Sequence, residues 1–281
     1  MRLRSLLFVP GDRPERFAKA AASGADAIIL DLEDSVSAAR KALARGAVAD
    51  WLAGPADGPR DVVRMVRINP LDAGTLDADL MVARHADAIM VPKVTGPAEI
   101  LSLVRAVGAD CPPILPIATE VPAAIFTLGE YASVAERLCG LTWGAEDLPA
   151  AIGAATSREP DGSYTAPYQM VRALLLFGAH AAGVTAIETV YPAIGDGAGL
   201  AAYAARGYRD GFTGMMAIHP AQVPVINAAF TPDAETVARA RAVVDAFAAQ
   251  PGVGALQLDG RMIDAPHLRQ AMATLNNVDP A

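Results

Sequence analysis

The sequence predicts an α/β fold: a (β/α)8 TIM barrel followed by a helix–hairpin–helix extension. Three observations carry this reading. Eight short apolar runs alternate with longer segments of helical period, the strand–helix arithmetic of a barrel over about 230 residues. The runs are nearly continuous in apolarity, as a parallel sheet buried on both faces requires. No Gly-rich dinucleotide fingerprint follows the first run, so a doubly wound open sheet is the second choice. Gly195, Gly197 and Gly199 have the wrong spacing for that fingerprint, follow the seventh run and read as a loop.

The runs fall in order at residues 5–9, 27–32, 62–68, 88–91, 114–118, 138–143, 186–190 and 215–218. Gly, Pro, Asn or Asp bounds each of them, as loop chemistry demands. Helical periodicity is clearest at 15–23, 38–52, 97–107 and 168–182. The barrel, residues 1–230, ends near Phe230, and the extension is 231–281. Thr231 reads as a helix N-cap, with Pro232 in the first turn and Asp233 at the positive dipole end. Val237, Ala240, Val244, Phe247 and Ala248 line one face of that helix. Residues 256–258 and 262–263 flank the pair Asp259 and Gly260 as a tight hairpin, and a last helix spans 266–275.

Composition excludes several classes. Apolar residues make up 53% and charged residues 19%, so a large core is available and wholesale disorder is excluded. The net charge is −8 and Lys19, Lys41 and Lys93 are the only lysines, which argues against a general nucleic-acid binder. Cys111 and Cys139 have no CxxC spacing and fit a reducing compartment. The first apolar run stops at Pro10, too short for a signal sequence, and the uncharged stretch 173–187 falls short of a membrane span. A cytoplasmic protein with no membrane or nucleic-acid partner is the expectation.

Barrel chemistry sits where strands end. The strand ends here carry Asp31, Glu33 and Asp34; Arg67 and Asn69; Lys93; Glu120; Glu146 and Asp147; Glu188 and Tyr191; and His219. Carboxylates converging on one rim repel unless a cation sits among them. Hard oxygen donors from one or two carboxylates suit Mg2+, and no His- or Cys-rich spacing suggests zinc. Each position also has a structural reading. Glu120, Asp147, Asp34 and Asp264 could cap helices. Arg67 and Lys93 could pair with rim acids, and an arginine inside an apolar strand needs such a partner. His219 reads as a hydrogen-bonded core histidine, His180 as structural, and the two cysteines as buried or incidental. No serine nucleophile elbow and no P-loop occurs.

The ordered motifs resemble the citrate lyase β-subunit-like proteins of the HpcH/HpaI aldolase superfamily, which include malyl-, β-methylmalyl- and citramalyl-CoA lyases. They are RSLLFVPGDRPER at 4–16, ADAIILDLEDSV at 25–36, VRINP at 66–70, MVPKV at 90–94, IATE at 117–120, WGAEDL at 143–148, AIHPAQ at 217–222 and GRMIDAP at 260–266. They span essentially the whole chain. Met215 and Met216 depart from a Gly-Lys pair common in that family, and 191–197 lacks its acidic-aromatic pattern.

The resemblance implies a Mg2+-dependent carbon–carbon lyase, with Mn2+ as substitute ion. It would cleave or form a 3-hydroxyacyl-CoA thioester, giving an acyl-CoA and a 2-oxoacid. Glu120 and Asp147 are then the metal ligands. Arg67 faces the carbonyl or enolate oxygen, and backbone N–H groups of Gly144, Ala145 and Glu146 hold the oxoacid carboxylate. Lys41, with Arg40 and Arg45 nearby, approaches the CoA phosphates. Asp264 is the acid/base supplied to a neighbouring subunit in a homotrimer or hexamer. Two alternatives remain open: a citrate lyase β subunit acting on an acyl-carrier-protein thioester within a complex, and a metal-dependent 4-hydroxy-2-oxoacid aldolase. The absence of any histidine before His85 counts against the second.

Overall fold

A computed structural model describes residues 1–54 and 62–278. Eight parallel strands form the centre: β1 (Ser5–Pro10), β2 (Ala27–Asp31), β3 (Val63–Arg67), β4 (Ala88–Val91), β5 (Ile114–Pro116), β6 (Leu141–Thr142), β7 (Ala186–Glu188) and β8 (Gly214–Ala217). They lie in the order β5-β4-β3-β2-β1-β8-β7-β6. Parallel bridges from Ile114 to Leu138 and from Ile117 to Thr142 join the two ends, so the sheet closes on itself as the predicted barrel. Gly214 opens β8 because nothing larger fits: a Cβ there would lie 1.8 Å from the Leu3 carbonyl oxygen.

Alternate residues of each strand face inward or outward. Leu6, Ile29, Met65, Met90, Leu115, Ile117, Ile187 and Met216 fill the barrel. Leu7, Leu30, Val66, Val91 and Met215 point outward into the helical layer. That layer comprises α1 (Phe17–Ala21), α2 (Lys41–Ala53), α3 (Leu76–Ala83), α4 (Pro97–Val107), α5 (Pro122–Ile125), α6 (Leu148–Ile152), α7 (Ala166–Ala182), α8 (Gly197–Asp210) and α9 (Val223–Ala229). Both faces of the sheet are therefore covered, which is why its strands carry so few polar residues. Ion pairs clamp the lower end of the barrel. Arg4, just before β1, holds Asp26, just before β2, at 2.8 Å, and Arg64 holds Asp87 at 3.0 Å.

The extension forms its own small core. In it, α10 (Ala234–Ala248) and α11 (Ala265–Asn276) pack with the hairpin β9 (Ala255–Leu258) and β10 (Arg261–Asp264) around Ala240, Val243, Ile263 and Ala271. Asp259 and Gly260 both take positive φ at the hairpin turn, 49° and 73°, as a primed two-residue turn requires. Asp233, rather than the expected Thr231, caps α10, its carboxylate accepting the Thr236 N–H at 2.7 Å. The Thr231 hydroxyl is taken elsewhere, accepting from Arg4 and donating to the Asn227 carbonyl. The far end of α11, Asn276 and Asn277, lines a small cavity with Leu3, Arg4, Thr185 and Thr213 at the lower end of the barrel. Among the described residues, no helix is long and apolar enough to cross a membrane.

Candidate active site

At the upper rim a cleft of about 360 Å3 opens between the ends of β1, β2, β3, β5, β6, β7 and β8. Eight of the residues singled out above line it together: Asp31, Asp34, Arg67, Glu120, Gly144, Ala145, Glu146 and Asp147. Inward parity puts them there. Asp31 and Arg67 continue the inward sets of Ile29 and Met65, and they are register partners across β2 and β3.

Arg67 is held on three sides. Its Nε donates to Asp31 Oδ1 at 2.6 Å and its Nη2 to Asp31 Oδ2 at 2.7 Å, and Nη1 lies 2.7 Å from Glu33 Oε2. The guanidinium also sits 4.8 Å above the Phe8 ring. This fork geometry is rigid. A guanidinium has five N–H groups, so two remain for something in the cleft. Burial pushes the Asp31 carboxyl upward, but the Arg67 bonds outweigh it and hold the group below its ordinary value. Burial works against the Arg67 charge too, and Asp31 more than restores it.

Glu120 is only 4% exposed. Its Oε2 accepts the Lys93 N–H at 2.7 Å, and among the described residues Oε1 has no hydrogen-bond partner. Burial, and then the nearby Asp147 carboxylate, push its pKa up to about 8. Val121 holds the N-cap position of α5, so Glu120 does not cap that helix. Asp147 stands at the N-cap position of α6 but makes no side-chain capping bond. Its Oδ1 lies 3.2 Å from Lys93 Nζ. Asp34 is likewise no cap: Ser37 fills that position, and Asp34 lies exposed at the cleft edge, 3.4 Å from Lys93 Nζ.

The arrangement fits a hard divalent cation. Asp31, Glu33, Asp34, Glu120 and Asp147 gather at this rim, and among the described residues Arg67 and Lys93 are the cations that form ion pairs there. Glu120, a buried residue, carries an unengaged oxygen beside a second carboxylate. A Cβ at Gly144 would come within 2.6 Å of Glu120 Cγ and 2.9 Å of its Oε1, so the glycine leaves the room that the carboxylate occupies. Among the described residues no three His, Cys, Asp or Glu side chains form a complete cage. Two carboxylates with remaining positions left to water and substrate oxygens are a common Mg2+ arrangement.

Several expectations need correction. Glu188 is not a rim group. Ile187 points inward, so Glu188 points outward, where it accepts Trp143 Nε1 at 2.5 Å, Arg172 Nε at 2.7 Å and the Tyr203 hydroxyl at 2.9 Å. Lys41 does not reach outward for phosphate. Its ammonium donates to the carbonyls of Leu32 and Glu33 and to Asn69 Oδ1, at 2.6, 2.7 and 2.7 Å. Those bonds use all three of its protons. Arg45 is bound to buried Asp79 at 2.6 Å and Arg40 to Asp12, so the basic stretch is consumed within the chain. The Gly144 N–H is also taken, donating to Thr119 Oγ1 at 3.0 Å. Ala145 and Glu146 N–H groups have no partner among the described residues and are the ones free to meet a carboxylate. His219 is an exposed cap accepting the Ala221 N–H, not a core histidine. His180 is exposed and bonds to the Gly211 carbonyl.

Asp264 does not line the cleft of its own chain. It heads α11, with His267 Nδ1 2.6 Å from its Oδ1. The His267 hydrogen bond holds its carboxyl below the usual range. Lys93, read from the sequence as a strand-end cation able to pair with rim acids, does so: its ammonium lies 2.5 Å from Glu33 Oε1 and joins β2, β4 and β6 across the rim. Its only signal was its place at a strand end.

Comparison with known proteins follows the same lines. Residues 4–220 match the family model described as HpcH/HpaI aldolase/citrate lyase. A citrate lyase subunit beta-like protein of Mycobacterium tuberculosis is 36% identical over 275 residues, spanning 98% of this chain and 95% of that protein. A (3S)-malyl-CoA thioesterase of Cereibacter sphaeroides is 34% identical over 276 residues, spanning 97% and 93%. The crystal structure of CitE from Mycobacterium tuberculosis, in complex with magnesium, acetoacetate and coenzyme A, superimposes with a TM-score of 0.82 at 34% identity and 98% coverage of both chains.

Proposed function

The chain belongs to the HpcH/HpaI aldolase/citrate lyase family, and from that premise we propose that it is a Mg2+-dependent lyase. Its substrate would be a 3-hydroxyacyl-CoA thioester of the malyl-, methylmalyl- or citramalyl-CoA type, and its products an acyl-CoA and a 2-oxoacid. One observation carries the proposal: Glu120 and Asp147 meet beside the pinned Arg67 in a single cleft. The magnesium, acetoacetate and coenzyme A of the related CitE structure support the cofactor and the substrate class.

Glu120 and Asp147 would hold the ion, which when bound supplies Lewis acidity toward substrate oxygens. The two uncommitted N–H groups of Arg67 stabilise negative charge on the thioester enolate oxygen. Because Asp31 and Glu33 already fix the guanidinium, little reorganisation accompanies that step. The free N–H groups of Ala145 and Glu146 bind the oxoacid carboxylate. Asp264, supplied by a neighbouring copy in a homotrimer or hexamer, exchanges the proton on the enolate carbon. In its own chain the carboxylate is ionised and bonded to His267, the state a base needs in the condensing direction. In the cleavage direction it must be protonated, which a drier setting against a neighbour's cleft favours.

A second reading has specific support in the malyl-CoA thioesterase relative. There the same substrate class would lose its thioester bond by hydrolysis. Mass spectrometry of the protein with Mg2+ and malyl-, methylmalyl- or citramalyl-CoA, with a free hydroxyoxoacid as control, separates the readings. An acyl-CoA plus a 2-oxoacid supports the lyase. Free CoA plus a hydroxydiacid supports the thioesterase. Turnover of the free acid alone refutes both.

A further inference from the structure

Lys93 has the most unusual backbone at the rim. Its φ is +55°, and Asp259 in the hairpin turn is the other non-glycine residue at positive φ among those described. A left-handed lysine persists only where its surroundings over-determine it. Here they do so at both ends of the residue. The backbone N–H donates to Glu120 Oε2 at 2.7 Å, while the side chain crosses the rim to Glu33 Oε1 at 2.5 Å and Asp147 Oδ1 at 3.2 Å. One residue thus engages both carboxylates assigned to the ion, one through its amide and one through its charge.

The two engagements differ in kind. The amide bond occupies one Glu120 oxygen and orients the other, Oε1, which stays free. The ammonium instead neutralises Asp147, as a second cation would. Among the described residues two cations form ion pairs with the carboxylates of this rim, Arg67 and Lys93, and Arg67 is committed to Asp31 and Glu33. Lys93 is therefore the one rim cation in contact with Asp147 among the described residues.

We propose that Lys93 is the resident cation of the cleft, its ammonium holding Asp147 until a divalent ion takes over that carboxylate. This rests on the metal reading above. Lys93 is a positioning residue whose amide presets Glu120 and whose charge sets how tightly the cleft loads. The ammonium swings to Glu33 and Asp34, both already within its reach.

The sign of one measurement separates this role from a purely structural one. Lys93→Met keeps the stem and the backbone N–H but removes the competing charge, leaving Asp147 without an ion-pair partner among the described residues. Calorimetric titration with MgCl2 should give a dissociation constant about tenfold lower than wild type, because a unit charge near a half-buried site acts at low effective dielectric. A mere strut would weaken ion binding and lower the melting temperature together. Lys93→Arg, which keeps the charge, should bind like wild type. Should Lys93→Met not fold, Lys93→Gln carries the same expectation. Wild-type binding that is unchanged or weakened in the neutral variants overturns the proposal alone. No Mg2+ binding by wild type overturns the metal reading and the proposal with it.

Discussion

Replacing Gly144 by alanine adds one methyl group at the point where the cleft is tightest. Gly144 is not among the residues at positive φ, so the backbone accepts alanine without strain. The added carbon, however, would stand 2.6 Å from Glu120 Cγ, 2.9 Å from Oε1 and 3.1 Å from Cδ. Ordinary contact begins near 3.4 Å, so the carboxylate must retreat by close to an ångström. It cannot do so freely, because its Oε2 is anchored to the Lys93 N–H at 2.7 Å. Overpacking of this kind costs about 1–3 kcal/mol of stability. A displacement of about 1 Å in a positioned group costs about a hundredfold in rate. The expected result is weakened Mg2+ binding by calorimetry and turnover reduced by about two orders of magnitude, with a modest fall in denaturation midpoint. Wild-type affinity and turnover in Gly144→Ala would refute the assignment of Glu120 to the ion.

Four other perturbations probe separate parts of the account. Asp147→Ala should abolish Mg2+-dependent turnover while leaving the melting temperature of the ion-free protein nearly unchanged, since Asp147 makes no capping bond; a fall in melting temperature alone would restore the capping role. Asp264→Ala should lower turnover by about 10²–10⁴, the usual share of a general acid–base group, with Mg2+ affinity by calorimetry within about twofold of wild type because Asp264 lies outside the cleft; normal turnover would remove it from the mechanism. Lys41→Met breaks three bonds between α2 and the loops after β2 and β3, and urea denaturation should show a loss of about 2 kcal/mol without a change in KM for a CoA thioester. The bonds from Arg64 hold the Asp87 carboxyl below its ordinary value in spite of burial. A depressed acid stabilises the fold above its unfolded pKa and loses that contribution as pH falls through its folded pKa. The melting-temperature gap between wild type and Asp87→Asn should therefore be largest above about pH 5 and close toward about pH 2.

The barrel was legible because buried parallel strands must be apolar almost throughout, and their boundaries carry Gly, Pro, Asn or Asp. The strand-end rule then brings Arg67, Glu120 and Asp147 to one rim from sequence alone. What sequence could not resolve depends on parity and on long-range partners. Glu188 ends a three-residue strand whose inward and outward positions are set by its neighbours, and the outward choice delivers it to Trp143, Arg172 and Tyr203. Lys41 sits in a basic stretch, yet its acceptors lie in the loops after β2 and β3, and only the fold brings them to it. The loss of the Gly144 amide to Thr119 arises across two strands 25 residues apart. The left-handed turn at Lys93 follows a proline in the sequence and has no glycine or asparagine to announce it.

The central claim is that the rim cleft breaks a carbon–carbon bond with an ion held on Glu120 and Asp147. Its most direct test is a product analysis by mass spectrometry of malyl-CoA incubated with the purified protein. The account predicts acetyl-CoA and glyoxylate in equal amounts when Mg2+ is present, and neither with chelator or in Glu120→Gln. Free CoA and malate from the wild type, or cleavage that survives chelation, would contradict it.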